Sequence, residues 1–234
     1  MKRNVIQRKL LCISYEEEKL QGNLIYSVPI CDSRPLVICC MDNRKLCRFV
    51  EKEIGIYLAS RGVAFYCFEA ESEKAKESIE NVILYFNECK LIDQENIFLL
   101  GVGKLGLQTV AAALEYAGYV NGILLDCPEE CDFSLSTSYT ENMKEQINKP
   151  DFLDYMSELK KPVDIIHNEG NSASDRMFLE KIMGVCDNTT MHVISKYENG
   201  FFGFAARETV RKICIEFIQK NLSKRKNVPN VLNI

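Results

Sequence analysis

The sequence predicts an α/β protein: a mostly parallel central sheet, covered by helices, with an antiparallel hairpin at its N-terminal edge. Two observations carry this. Short, wholly apolar runs such as Leu36–Cys40 (LVICC) and Ile97–Leu100 alternate with amphipathic stretches of helical period, and a continuous apolar run is what a strand buried on both faces requires. Ahead of them, Lys9–Tyr15 and Asn23–Val28 flank the polar run EEEKLQG, the pattern of two strands joined by a turn. Strands alternating with helices after a leading hairpin build a parallel sheet with one antiparallel edge.

Taken in order, the hairpin is expected to turn near Gly22, and Pro29–Pro35 to form a loop before the strand Leu36–Cys40. Leu46–Arg61 carries Leu46, Phe49, Val50, Ile54, Tyr57 and Leu58 at helical spacing, with Gly62 as its stop. Val63–Phe68 reads as a strand, and Glu71–Glu88 as an amphipathic helix burying Ile79, Val82, Ile83 and Phe86. Asn96–Pro128 then reads strand, glycine turn, helix, strand: Ile97–Leu100, the GVGKLG turn, an Ala- and Leu-rich helix over Leu107–Tyr116 stopped by Gly118, and Ile123–Leu125. After Pro128 the periodicity loosens. Glu129–Asn148 is polar, Asp151–Leu159 a short helix, Pro162–His167 a strand, Asn168–Ser174 a loop, Asp175–Met183 a helix, Met191–Ser195 a strand and Glu208–Leu222 an amphipathic helix. The expected organisation is one domain over residues 1–234, with a lid-like insertion at about 129–160.

Composition narrows the function. With 47% hydrophobic and 26% charged residues the 234-residue chain can fill one sizeable core. A net charge of −4 provides no global basic field for nucleic acid, and Lys220, Lys224, Arg225 and Lys226 read as a solvated tail. The 11 cysteines are odd in number, and many, such as Cys12, Cys39, Cys40, Cys67, Cys89 and Cys214, lie in apolar runs. That suits reduced, buried thiols in a cytoplasmic protein. There is no CxxC pair, and with His167 and His192 as the only histidines no zinc set is evident. Asp126, Glu129, Glu130 and Asp132 match no cation-binding loop and read as solvated surface. The apolar segment near the N-terminus is too short for a signal peptide, and no run approaches the ~18 residues of a membrane span. No cofactor is expected.

The glycine turn admits two chemistries. Gly101, Gly103 and Gly106 match G-x-G-x-x-G between strand and helix, with Asp126 ending the next strand, as in a dinucleotide site where pyrophosphate rests on a helix N-terminus. That motif ordinarily follows the first strand of its fold, whereas here several strands precede it.

The alternative is a nucleophile elbow, and several stretches in order carry it. Glu18–Tyr26 is similar to a leading hairpin that turns at an "L-x-G-x-L-x" segment, and Pro35–Asn43 to a strand ending in an oxyanion loop. Asn96–Pro128 resembles an elbow strand, its helix and a "V-x-G-x-x-L-x-x-P" segment (Val120, Gly122, Leu125, Pro128). Pro162–Asn171 resembles a strand ending "H-G-x-x-D", and Tyr197–Phe201 a late "H-G-F" loop. The chain thereby resembles the α/β-hydrolase family, which implies an α/β-hydrolase-like three-layer sandwich. Carried over residue by residue, the resemblance also implies lost chemistry. The nucleophile position is Gly103, which offers no side chain. The next family glycine is Leu105. The acid falls on Asn171, which carries no charge to stabilise an imidazolium, and the base on Asn199. The oxyanion-loop His-Gly is Met41-Asp42, a carboxylate where positive potential is needed. Lys104, Leu105, Cys127, His167 and Phe201 are the candidates for lining the cleft or holding a ligand. The expectation is a hydrolase fold without a competent triad, kept for binding a small molecule or a protein partner. Catalysis through other residues, such as a Cys127–His167 pair, and dinucleotide binding through GVGKLG are the alternatives.

Overall fold

Among the described residues eight strands share one sheet. Inner strands such as those at 34–41 and 120–126 bury both side-chain rows and need cover on both faces, whereas the edge strand at 5–15 stays largely exposed. The computed structural model describes residues 5–15, 18–28, 33–126, 152–168, 173–194 and 204–223. The strands are β1 (Val5–Tyr15), β2 (Glu18–Val28), β3 (Arg34–Met41), β4 (Ala64–Glu69), β5 (Ile92–Val102), β6 (Val120–Asp126), β7 (Val163–Asn168) and β8 (Thr189–Ile194), in the sheet order β1-β2-β4-β3-β5-β6-β7-β8. Strand β2 pairs antiparallel with both β1 and β4, and every other pairing is parallel.

The helices are α1 (Arg44–Val50), a π-helical turn (Glu51–Gly55), α2 (Ile56–Ser60), α3 (Ala75–Asn87), α4 (Gly106–Glu115), α5 (Phe152–Glu158), α6 (Ala173–Val185) and α7 (Phe204–Asn221). They divide between two faces. Ile79, Val82 and Phe86 of α3 and Val110 of α4 pack with Leu36, Leu99 and Ile165 of the sheet, joined by Met156 of α5 and Ile182 of α6. On the other face Val50, Ile54 and Leu58, with Val210, Cys214 and Phe217 of α7, cover Val37, Phe98 and Ile166. This is a three-layer sandwich. No helix among the described residues is long and apolar enough to cross a membrane.

Three expectations need correction. The hairpin does not turn at Gly22: β1 and β2 pair from Val5 with Val28 as far as Tyr15 with Glu18, so Gly22 lies within β2 opposite Leu11. The glycine is needed there for space, since a Cβ would sit 2.5 Å from the Tyr66 ring and 2.6 Å from the Cys67 carbonyl oxygen. The single helix expected over Leu46–Arg61 is interrupted by the π turn, which redirects two carboxylates. Glu51 is buried and accepts from Arg8 and from Asn23 at 2.8 Å. Glu53, also buried, accepts from Arg211 at 3.0 Å and pairs with Arg207 at 3.4 Å. Finally, Cys12 is exposed and Cys89 half-buried rather than both being core thiols. Gly62 ends the helix as expected, at φ +84°.

Candidate functional site

The strand order places the site. From β3 the chain moves outward to β4, then returns to lay β5 on the other side of β3. Helices leaving neighbouring strands toward opposite faces open a crevice outside their carboxyl ends. Here those ends are Met41 of β3 and Val102 of β5, and the residues that follow are Asp42 and Gly103.

Gly103 has φ +54°, in the left-handed region that L-residues with a Cβ enter at a cost. A 3₁₀ turn, Gly103–Leu105, then leads directly into α4. A strand entering a helix through one strained, left-handed residue is the geometry of a nucleophile elbow, and the residue in the strained position is glycine. Gly101 serves packing instead: a Cβ there would lie 2.8 Å from Thr109 Oγ1, so its absence lets α4 approach β5. The Thr109 hydroxyl donates to the Leu105 carbonyl at 2.8 Å and tightens the first turn of α4.

Asp42 and Lys104 meet across the crevice. The Lys104 ammonium lies 2.8 Å from Asp42 Oδ2, while Asn43 Nδ2 donates to Asp42 Oδ1 at 2.9 Å. Asn43 also caps α1, its Oδ1 accepting from the Leu46 amide at 2.9 Å. Both Asp42 oxygens are thus engaged, and its charge is balanced from the elbow. The sequence predicts a negative charge at this position, and the structure pairs it with Lys104. Asn43 was overlooked, although an Asn directly before a helical repeat is an N-cap signal.

The other candidates disperse. Leu105 is 2% exposed and belongs to the core under α4. His167 is buried in β7 on the α4 side, two residues from Ile165. Asp126 pairs in register with Val102 and is fully buried on the α7 side, two residues from Leu124. The expectation that Asp126 belongs to a solvated acidic surface is therefore corrected, and the same burial weighs against its meeting a ribose. Cys127, Asn171, Asn199 and Phe201 lie outside the described residues. His192, given no role from the sequence, bonds Asp164 through Nε2 at 2.6 Å between β8 and β7.

The thiols here are not poised for chemistry. Burial raises Cys40, Cys67 and Cys214 above the ordinary thiol range, and Cys47 is raised first by a hydrogen bond with Cys67 and then by burial. Nucleophilic cysteines need the opposite shift. Among the described residues no group of three His, Cys, Asp or Glu side chains is placed to hold a metal.

No family model matches the chain, and no curated protein matches it in sequence. Solved structures do match in fold. Est1E from Butyrivibrio proteoclasticus superposes with a TM-score of 0.75 at 15% identity, over 92% of this chain and 99% of that one. A dienelactone hydrolase from Anabaena variabilis gives 0.73 at 13% identity, over 93% and 99%. The Pyrococcus furiosus esterase Pf2001 gives 0.70 at 13% identity, over 93% and 92%.

Proposed function

We propose that this chain, which has the α/β-hydrolase fold it shares with those esterases and the dienelactone hydrolase, is a non-catalytic binding or scaffolding protein. The observation that carries the reading is Gly103: the elbow keeps its left-handed turn but presents no nucleophile on it. The Asp42–Lys104 pair agrees, because the lysine beside the elbow is engaged by a carboxylate rather than held open for an oxyanion. In this reading the chain is one domain whose old cleft holds a small molecule or a protein segment. Of the expected lid-like insertion at about 129–160, Phe152–Glu158 is α5, whose Met156 packs in the core, and residues 129–151 lie outside the described residues. The free cysteines support a cytoplasmic setting.

The competing reading is an active hydrolase or acyltransferase using other residues, favoured by the names of its structural neighbours. A fluorophosphonate probe separates the two. Wild-type protein is expected to remain unlabelled and to turn over no acyl ester. Ester turnover abolished by Lys104→Ala or His167→Ala would overturn the proposal. Dinucleotide binding is tested in parallel, as millimolar NAD(P) raises the melting temperature only if it binds the native state.

A further inference from the structure

Helix α1 leaves the rim of the crevice two residues after Asp42 and carries Arg44, Lys45 and Arg48, with Lys52 following in the π turn. All four are exposed, and none has a carboxylate partner among the described residues. Arg44 and Arg48 stand one turn apart on α1, about 6 Å at 1.5 Å rise per residue, and Lys52 continues the basic stripe into the π turn.

Folding stability does not account for this stripe. Arg44 and Lys45 stand in the first turn of α1, which contains no acidic residue, and cations there oppose the positive end of the helix dipole. Two acids next to the stripe in sequence, Glu51 and Glu53, are turned inward in the π turn and bound to Arg8, Asn23, Arg207 and Arg211, and Asp42 is held by Lys104 and Asn43. The sequence thus supplies balancing charge, and the local helix geometry withdraws it. Departures from regular α-helix of this kind concentrate at functional sites.

We infer that α1 is a docking surface for an acidic segment of a protein partner, with carboxylates spaced one helical turn apart. The net charge of −4 selects this partner over a membrane or a long nucleic acid. An extended polyanion meets the field of the whole chain, whereas a short segment within about one Debye length, ~8 Å at physiological salt, meets the stripe alone. The inference goes beyond the reading of the cleft and holds whether or not the elbow catalyses.

The test uses full-length protein and two fluorescent 17-residue peptides of identical composition. One carries Glu at every fourth position of an alanine helix, and the other carries the same glutamates in one block. The spaced peptide is expected to bind the wild type at low salt, to weaken as salt rises, and to bind at least tenfold tighter than the block peptide. The variant Arg44→Gln/Lys45→Gln/Arg48→Gln/Lys52→Gln should lose tenfold or more in affinity while melting no lower than wild type. Lys212→Gln/Lys220→Gln, on α7, should bind as wild type. Gly103→Ser should also bind as wild type, which keeps this result distinct from any result at the elbow. Equal binding of both peptides, an equal loss in the α7 variant, or tighter stripe-dependent binding of a 20-nucleotide RNA or phosphatidylserine vesicles would overturn the inference.

Discussion

Gly103→Ser places a hydroxyl where the fold's nucleophile would stand, and the structure sets its cost. At φ +54° a residue with a Cβ sits in the left-handed region, at about 1–2 kcal/mol relative to glycine. For a chain of this size each kcal/mol moves the melting temperature by about 2–4 °C, so the variant should melt roughly 2–8 °C below wild type. Gly103→Asn should lose less, because Asn tolerates this conformation. Gly62→Ala is the control: its φ is +84° and a Cβ would meet nothing within 4 Å, so it isolates the backbone term. The assay is thermal unfolding followed by near-UV circular dichroism, with fluorophosphonate labelling of the same samples. On the proposed non-catalytic reading Gly103→Ser remains unlabelled, because that reading leaves the serine without a base and hence a weak nucleophile. A Gly103→Ser protein as stable as wild type would refute the elbow geometry. Rapid labelling would refute the absence of a base.

Three further outcomes follow from the packing. Glu53→Ala should cost about 1–3 kcal/mol in urea unfolding, since it removes the buried carboxylate that accepts from Arg211 and pairs with Arg207; a cost below about 1 kcal/mol would mean that the cluster is solvated. Gly22→Ala should cost about 1–3 kcal/mol through overpacking against Tyr66 and the Cys67 carbonyl, and a neutral effect would show that the hairpin can shift. The buried thiols Cys40, Cys67 and Cys214 keep their protons in the folded chain to higher pH than in the unfolded one. Their stabilising contribution is therefore whole below the unfolded value of about 8.5 and falls as pH rises beyond it. Melting temperatures under reducing conditions should drop between about pH 8.5 and 10, and a flat profile would contradict that burial.

Much of the fold was legible because burial on both faces leaves an unmistakable mark. LVICC forms the centre of β3, which extends from Arg34 in the expected loop to Met41, and the glycine turn marks where β5 becomes α4. Two local errors share one cause, since a tertiary neighbour decided what the local pattern left open. Gly22 looks like a turn residue, yet it is a gap for the Tyr66 ring, and a period-3.6 reading of Leu46–Arg61 cannot foresee a π turn drawn by arginines far away in sequence. The candidate site was legible at Gly103, because a missing side chain can be read directly. It was not legible at Asp42, whose charge depends on a lysine 62 positions later. Nor was it legible at Asp126, where a strand-end carboxylate looks exposed until the sheet is assembled around it.

The π turn has a consequence for how the protein is made. Its two acids reach in opposite directions along the chain: Glu51 to Arg8, 43 positions away, and Glu53 to Arg211, 158 positions away. The first partner has already been synthesised when the turn emerges from the ribosome, but the second has not. At about 5–20 residues per second, Glu53 waits roughly 8–30 s for its arginines. During that interval the nascent chain carries an unmatched carboxylate and a sheet face covered only by α1, the π turn and α2, because α7 supplies both the charge and the rest of the cover. Among the described elements α7 is the one that completes this face, and a chain released without it would be a client for chaperones rather than a smaller version of the same protein.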